Sequence, residues 1–213
     1  PDAFATFDEV LEDGDLLVYF LGEAVQERDG TRSNRADNYN ALVNAYAIEP
    51  CETTLRELRL GHVTPYCKIY RRSFIEAHVL RFDPVSVSND VAFNVLAAVQ
   101  ATNVRAFPTP VYRIYRSGGS LTAKVSTETF LTRFGVSCLL AERLRALEIE
   151  NAVSATGYML KAFSYGPRVT LYVWQQSILS PMFIEWSRLM SVSRWYKYFR
   201  RESQQKVERR NNS

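Results

Sequence analysis

One carboxylate and a handful of cations are the side chains of this sequence that could do chemistry. Asp90 follows Ser88 and Asn89 at the start of a stretch with helical apolar spacing, carrying Val91, Phe93, Val95, Leu96 and Val99. A carboxylate can take a proton from a hydroxyl group. It is equally at home in a first helical turn, where the helix dipole favours negative charge and Ser88 would serve as N-cap. Sequence leaves both uses open. Lys68, Arg71, Arg72, Arg113 and Arg116 could counter phosphate charge, arginine through its planar fork of donors and lysine as a point charge. Strand alternation puts Arg113 and Tyr115 on one face and Tyr112, Ile114 and Arg116 on the other, so they cannot all meet one ligand. Arg116 is preferred because it adjoins the turn Gly118-Gly119-Ser120, whose backbone N–H groups could approach the same ligand. That turn is no P-loop, since no Gly-Lys-Ser/Thr follows. Arg71 and Arg72 read as solvated. His62 and His78 read as ordinary core or surface histidines.

The elements that must position these residues fall into two parts, 1–122 and 123–213. A helix over 3–11, closed by Asp13-Gly14, precedes six consecutive apolar residues at 16–21, which predict a strand buried on both faces. Arg28-Asp29-Gly30-Thr31 is a turn. A helix over 53–60 ends at Gly61. A strand at 67–70, a helix at 72–78, a loop at 81–87 and a helix beginning at Ser88 or Asn89 follow. Residues 104–107 and 111–115 read as two strands flanking Pro108 and Pro110. Beyond 125 the pattern is helical, with one helix carrying Leu131, Phe134, Cys138, Leu139, Ala141 and Leu144 and a second over 152–165. A third runs from 181 to 209, with Pro181 in its first turn. The expected fold class is α/β: a partial mixed sheet with flanking helices, then an α-helical C-terminal appendage.

Five short segments in order within residues 65–122 carry a resemblance. They are Lys68-Ile69-Tyr70-Arg71-Arg72-Ser73-Phe74-Ile75, then Arg81-Phe82, then Asn89-Asp90-Val91-Ala92-Phe93-Asn94. The last two are Pro108-Thr109-Pro110-Val111-Tyr112-Arg113-Ile114-Tyr115-Arg116 and Gly119-Ser120-Leu121-Thr122. This series resembles the second half of a family 2 glycosyltransferase of the GT-A fold. Such enzymes commonly carry K-L-Y-R-R-x-F-L, R-F, an E-D-x-x-F-N helix start, a P-x-P-L-Y-x-Y-R strand and a G-S-x-T turn. The resemblance implies inverting transfer of a sugar from a nucleotide-sugar donor to a saccharide or lipid-linked acceptor, with bacterial surface-polysaccharide assembly the commonest setting. It implies Asp90 as the base, and Asn89, Lys68, Arg116 and Ser120 as donor- or acceptor-binding residues. Asn89 stands where the family has Glu, so one of the two usual carboxylates is absent. A divalent cation, Mn or Mg, is implied too, with its Asp-x-Asp ligand motif and the nucleotide-binding units expected to lie before residue 1. The alternatives are a non-catalytic glycan- or partner-binding module derived from a transferase and, from the last helix, a membrane-surface adaptor.

Composition narrows the field further. The chain has 213 residues, 46% of them hydrophobic and 23% charged, which excludes disorder and collagen-like repeats. A net charge of +3 is too small to imply nucleic-acid binding. Cys51, Cys67 and Cys138 share no metal-ligand spacing and read as reduced thiols, which points to the cytoplasm. No basic-then-apolar leader opens the chain. The uncharged stretch between Arg168 and Glu185 is too short and polar for a membrane span. Residues 181–210 mix Trp186, Trp195, Tyr196, Tyr198 and Phe199 with Arg and Lys. A basic aromatic helix of that kind could lie on the inner face of an anionic membrane, or its aromatic stripe could pack on neighbouring helices.

Overall fold

The apolar run at 16–21 becomes the centre of a sheet. The computed structural model describes residues 3–116 and 126–190. Its elements in chain order begin with α1 (Ala3–Val10), β1 (Leu17–Gln26), α2 (Asp37–Ile48), α3 (Glu52–Gly61), β2 (Lys68–Tyr70) and α4 (Arg72–Ala77). They continue with α5 (Val91–Gln100), β3 (Val104–Arg116), α6 (Thr127–Ala146), α7 (Thr156–Ala162), α8 (Pro167–Leu179) and α9 (Trp186–Leu189). The described residues fall into two compact units, divided between Val136 and Ser137.

In the first unit the strand order is β2-β1-β3, with β1 antiparallel to β2 and parallel to β3. The fold is therefore mixed α/β. Leu17, Val18, Tyr19 and Phe20 are each at most 1% exposed, so both faces of β1 are covered. Leu17 and Tyr19 join Val43, Leu58, Phe74, Ala97 and Val104 in one core. Phe20 points the other way, against Phe7 of α1 at 5.2 Å and Phe107 at 5.7 Å.

Two expectations change here. The two strands foreseen at 104–107 and 111–115 are one, β3. Its pairing with β1 slips between Tyr19 and Gly22 instead of ending, and the slip falls where Pro108 and Pro110 stand, residues that a strand tolerates at bulges and edges. Helix α2 has no counterpart in the sequence reading. Its segment Asp37-Asn38-Tyr39-Asn40 is rich in turn-forming residues, and only Val43 within the helix is fully buried.

The slip exposes the Gly22 peptide where β2 has already ended. Asn40 of α2 takes the place of a neighbouring strand: its Oδ1 accepts the Gly22 N–H at 3.0 Å and its Nδ2 donates to the Gly22 carbonyl at 2.8 Å. Gly22 is required for room. A Cβ there would stand 2.7 Å from Cys67 Sγ. Gly22→Ala should therefore lower stability by about 1–3 kcal/mol in urea unfolding. Adding Cys67→Ala should recover most of the loss, and no recovery would place the strain elsewhere.

In the second unit, α7 continues as a 3-10 turn over Phe163–Tyr165. Trp174 of α8 donates from Nε1 to the Met159 carbonyl at 3.1 Å and meets Phe163 edge to face at 5.9 Å. The helix expected from Pro181 does not begin there. Phe183 forms a bridge with Ser154, its N–H donating to the Val153 carbonyl and its own carbonyl accepting from Ala155. The proline-started helix is α8, with Pro167 in its first turn. The basic aromatic segment beyond Met190, and Ser120 with its turn, lie outside the described residues. Among the described residues no helix is long and apolar enough to cross a membrane.

Candidate functional site

Three of the segments singled out in the sequence converge on the start of α5. Lys68-Ile69-Tyr70 is β2, with Lys68 opposite Tyr19 of β1. Phe82 meets Phe93 at 4.8 Å, and Phe93 meets Tyr70 at 5.3 Å, both edge to face. Asn94, 0% exposed, lies one turn into α5. Its Oδ1 accepts from Lys68 Nζ at 3.1 Å and from Tyr70 Oη at 2.5 Å, while its Nδ2 donates to the Asp90 carbonyl at 2.8 Å. An ammonium can only donate, so the carboxamide has one possible orientation. Asn94 thus spends all its polar atoms tying β2 to the residue that opens the helix.

Asp90 occupies the cap position of α5, at φ −89° and ψ −19°, and its side chain makes no capping hydrogen bond. Ser88, the expected N-cap, lies in the left-handed region at φ 58°, and the helix begins three residues later at Val91. Neither side chain closes the helix end. Asp90 is half-buried and lines a cleft of about 390 Å³ together with Arg35, Tyr39, Thr64, Asn89 and Arg133. Asn89 is exposed there, its carbonyl accepting the Asp83 N–H at 2.8 Å.

The structure treats the other candidates differently. Lys68 is half-buried as a residue, but its ammonium points inward. It donates to the His62 carbonyl as well as to Asn94, and lies 5.0 Å from the centre of the Tyr19 ring. Burial pulls its pKa well below that of an ordinary lysine, and the Asp90 charge pulls the other way. Arg116 pairs with Gln26 at the far end of β1 and does not line the cleft. Arg113 is held by Glu23 at 2.7 Å, and Arg72 by Glu76 at 2.7 Å. Arg71, expected to be solvated, is a structural tie: it donates to the carbonyls of Asp15, at 2.8 Å, and Asp13. Asp90 and Asn89 come together in one cleft with Lys68 behind them, and Arg116 stands apart.

Sequence reasoning missed Arg35, Tyr39 and Arg133. Arg35 stands in the 3-10 turn Asn34–Ala36 that leads into α2 and Tyr39 in the first turn of α2, so the pair becomes legible only once that turn and helix are recognised. Arg35 is exposed and has no hydrogen bond or ion pair among the described residues.

Beside the cleft, His62 is 1% exposed. It is packed among the rings of Tyr39 at 4.8 Å, Tyr19 at 5.4 Å and Tyr66 at 6.5 Å. Its Nδ1 finds no partner in hydrogen-bonding geometry. Burial, helped by the Lys68 charge, lowers its pKa to about 3. The imidazole is therefore neutral at any ordinary pH, a core residue rather than a proton carrier.

The divalent cation implied by the resemblance can be tested against these side chains. Among the described residues Asp90 is the one acidic side chain lining the cleft, and no group of three His, Cys, Asp or Glu side chains could hold a metal ion. These residues do not make a cation site by themselves. Comparison of the chain with protein-family models, with curated proteins and with solved structures finds no match.

Proposed function

We propose that the cleft at the start of α5 serves glycosyl transfer, with Asp90 as general base. The observation that carries this reading is a half-buried carboxylate at a cleft that, among the described residues, is spent neither on capping its own helix nor on an ion pair. In such a reaction Asp90 takes the proton of an acceptor hydroxyl while that oxygen bonds to the anomeric carbon. The bond from that carbon to the nucleoside diphosphate breaks, and its electrons leave on phosphate. One displacement inverts the anomeric centre, and one carboxylate suffices for the proton. The mixed sheet with helices on both faces is compatible with part of a GT-A-type domain, and the donor is a nucleotide-sugar, the acceptor a saccharide or lipid-linked sugar. The setting that goes with this reading is bacterial surface-polysaccharide synthesis in the cytoplasm, at the inner face of the membrane where the acceptor is lipid-linked.

Arg35 is the cation best placed to meet diphosphate at this cleft, because it alone of the two lining arginines has no partner among the described residues. Arg35→Ala should weaken UDP binding about tenfold, as expected for one charge-assisted hydrogen bond. Calorimetry reads this directly, and unchanged affinity would return Arg35 to the solvent.

The reading as a whole is tested by transfer. The protein and its Asp90→Asn variant are incubated with UDP- and GDP-sugars and cell-envelope acceptors, and products are sought by mass spectrometry. Product from the wild type alone supports the proposal. Equal product from both, or none from either, removes it. The last result would favour the second reading, a glycan-binding module, for which Asn89 in place of a second carboxylate is the specific observation.

A further inference from the structure

We infer that the outward face of α8 docks on an anionic lipid bilayer. The helix is built the wrong way round for contact with water alone. An ordinary surface helix turns its polar residues to solvent and its apolar ones to the core. In α8 the buried residues are Val173 and Ser177, whereas Leu171 is 72% exposed, Leu179 70%, Ile178 63% and Tyr172 50%. Leu171 and Ile178 are seven residues apart, as are Tyr172 and Leu179. Each pair therefore stands two turns apart on one side of the helix, with exposed Gln175 between them. Trp174, bonded to the Met159 carbonyl, already holds α8 on α7. The apolar face is left over from packing within its unit, and a patch of that kind marks contact with something else.

Charge indicates what meets it. No Asp or Glu occurs between Glu150 and Glu185, while Lys161 and Arg168 do, and Arg168 is exposed one turn before Leu171 on the same face. Glu185, where the acids resume, is paired with Arg188 at 2.6 Å. Residues 191–213, which follow directly, bring seven Lys and Arg against two Glu. An anionic surface approaching α8 thus meets a cation on the helix and no carboxylate along this stretch. With thirteen residues α8 is about 20 Å long, too short to cross the roughly 30 Å of a hydrocarbon core. It fits instead in the plane of the interface, with Leu171, Ile178 and Leu179 among the acyl chains, Tyr172 at the headgroups and Arg168 on lipid phosphate. A second copy of the chain is the poorer occupant, because its equally basic α8 would face this one across a two-fold axis.

The experiment is co-sedimentation of the full chain with vesicles of phosphatidylcholine alone, and of three parts phosphatidylcholine to one part phosphatidylglycerol. The wild type should bind the mixed vesicles, more weakly at high salt, and not the neutral ones. Leu171→Gln combined with Ile178→Gln should lower that binding about tenfold or more. Arg168→Glu, which alters no apolar residue, should lower it about fivefold or more. Ile48→Gln, at an exposed apolar residue of α2, should leave it unchanged. All four positions face solvent, and circular dichroism with thermal melts checks that each variant folds. No binding by the wild type, binding that the α8 variants keep, or an equal loss in Ile48→Gln overturns the inference. So does sedimentation velocity showing a dimer that Leu171→Gln with Ile178→Gln takes apart, since a second copy would then cover the face. The assay holds no sugar or nucleotide, so its outcome is separate from that of Asp90 as a base, which the transfer assay decides.

Discussion

Asp90→Asn should lower sugar transfer by about 10²–10⁴-fold while leaving nucleotide affinity within about twofold, because a positioned general base contributes roughly that much to rate and little to ground-state binding. Asparagine keeps the shape and a hydrogen-bonding oxygen but cannot take the proton. The variant should also fold. Its side chain caps nothing, and Asn94 grips the backbone carbonyl of residue 90 whatever its side chain. The measurement is kcat and KM for transfer, with UDP binding followed separately. A fall in affinity with kcat preserved would make Asp90 a binding residue, and retained transfer would remove it from the chemistry.

Acid should destabilise the protein through His62 from near neutral pH downward. The imidazole has a pKa of about 3 in the folded chain and its ordinary value of 6.5 when unfolded. Between those values the unfolded chain binds the extra proton, so stability is present above pH 6.5 and is lost as pH falls below it. From pH 7 to pH 5 the loss from this one group is about 2 kcal/mol. Lys68 acts in the same direction at higher pH, because its depressed folded pKa also leaves the unfolded chain holding more protons. His78 is the single other histidine, and it is exposed. Urea midpoints at pH 7 and pH 5 should therefore differ clearly in the wild type and nearly coincide in His62→Phe, which keeps an aromatic ring among Tyr19, Tyr39 and Tyr66. An undiminished difference in His62→Phe would assign the acid sensitivity to other groups.

What could be read from the sequence, and what could not, follows from the range of the forces involved. The run at 16–21 declares a buried strand because each residue there is apolar by itself. The turn at Asp29-Gly30 declares itself through one backbone preference, met at Gly30 with φ 68°. The segments at 68–75, 81–82 and 89–94 drew attention as a resemblance, and the structure supplies the contacts that join them: Tyr70 and Phe82 against Phe93, Lys68 and Tyr70 on Asn94. Helix α2 escaped because its asparagines look like loop residues until one of them, Asn40, is seen bonded to Gly22 eighteen positions earlier. Arg35 and Tyr39 were hidden with it. The prolines of β3 read locally as strand breaks, because their tolerance depends on a partner strand, β1, that local sequence does not contain. Ser88 looked like a cap on composition, and its left-handed backbone moved the helix start past it. Each of these misses is a case where a distant neighbour decided what a local preference left open.

Pro108 and Pro110 also bear on how this chain behaves in company. Among the described residues β3 has a strand on one side only, and an open flank of that length invites a second molecule to zip on. Two donors missing within three residues interrupt any such zipper in the middle. The kink that sequence inspection takes for a break thus acts as a safeguard, letting a thirteen-residue ribbon run out to Arg116 without becoming a seed for clumping.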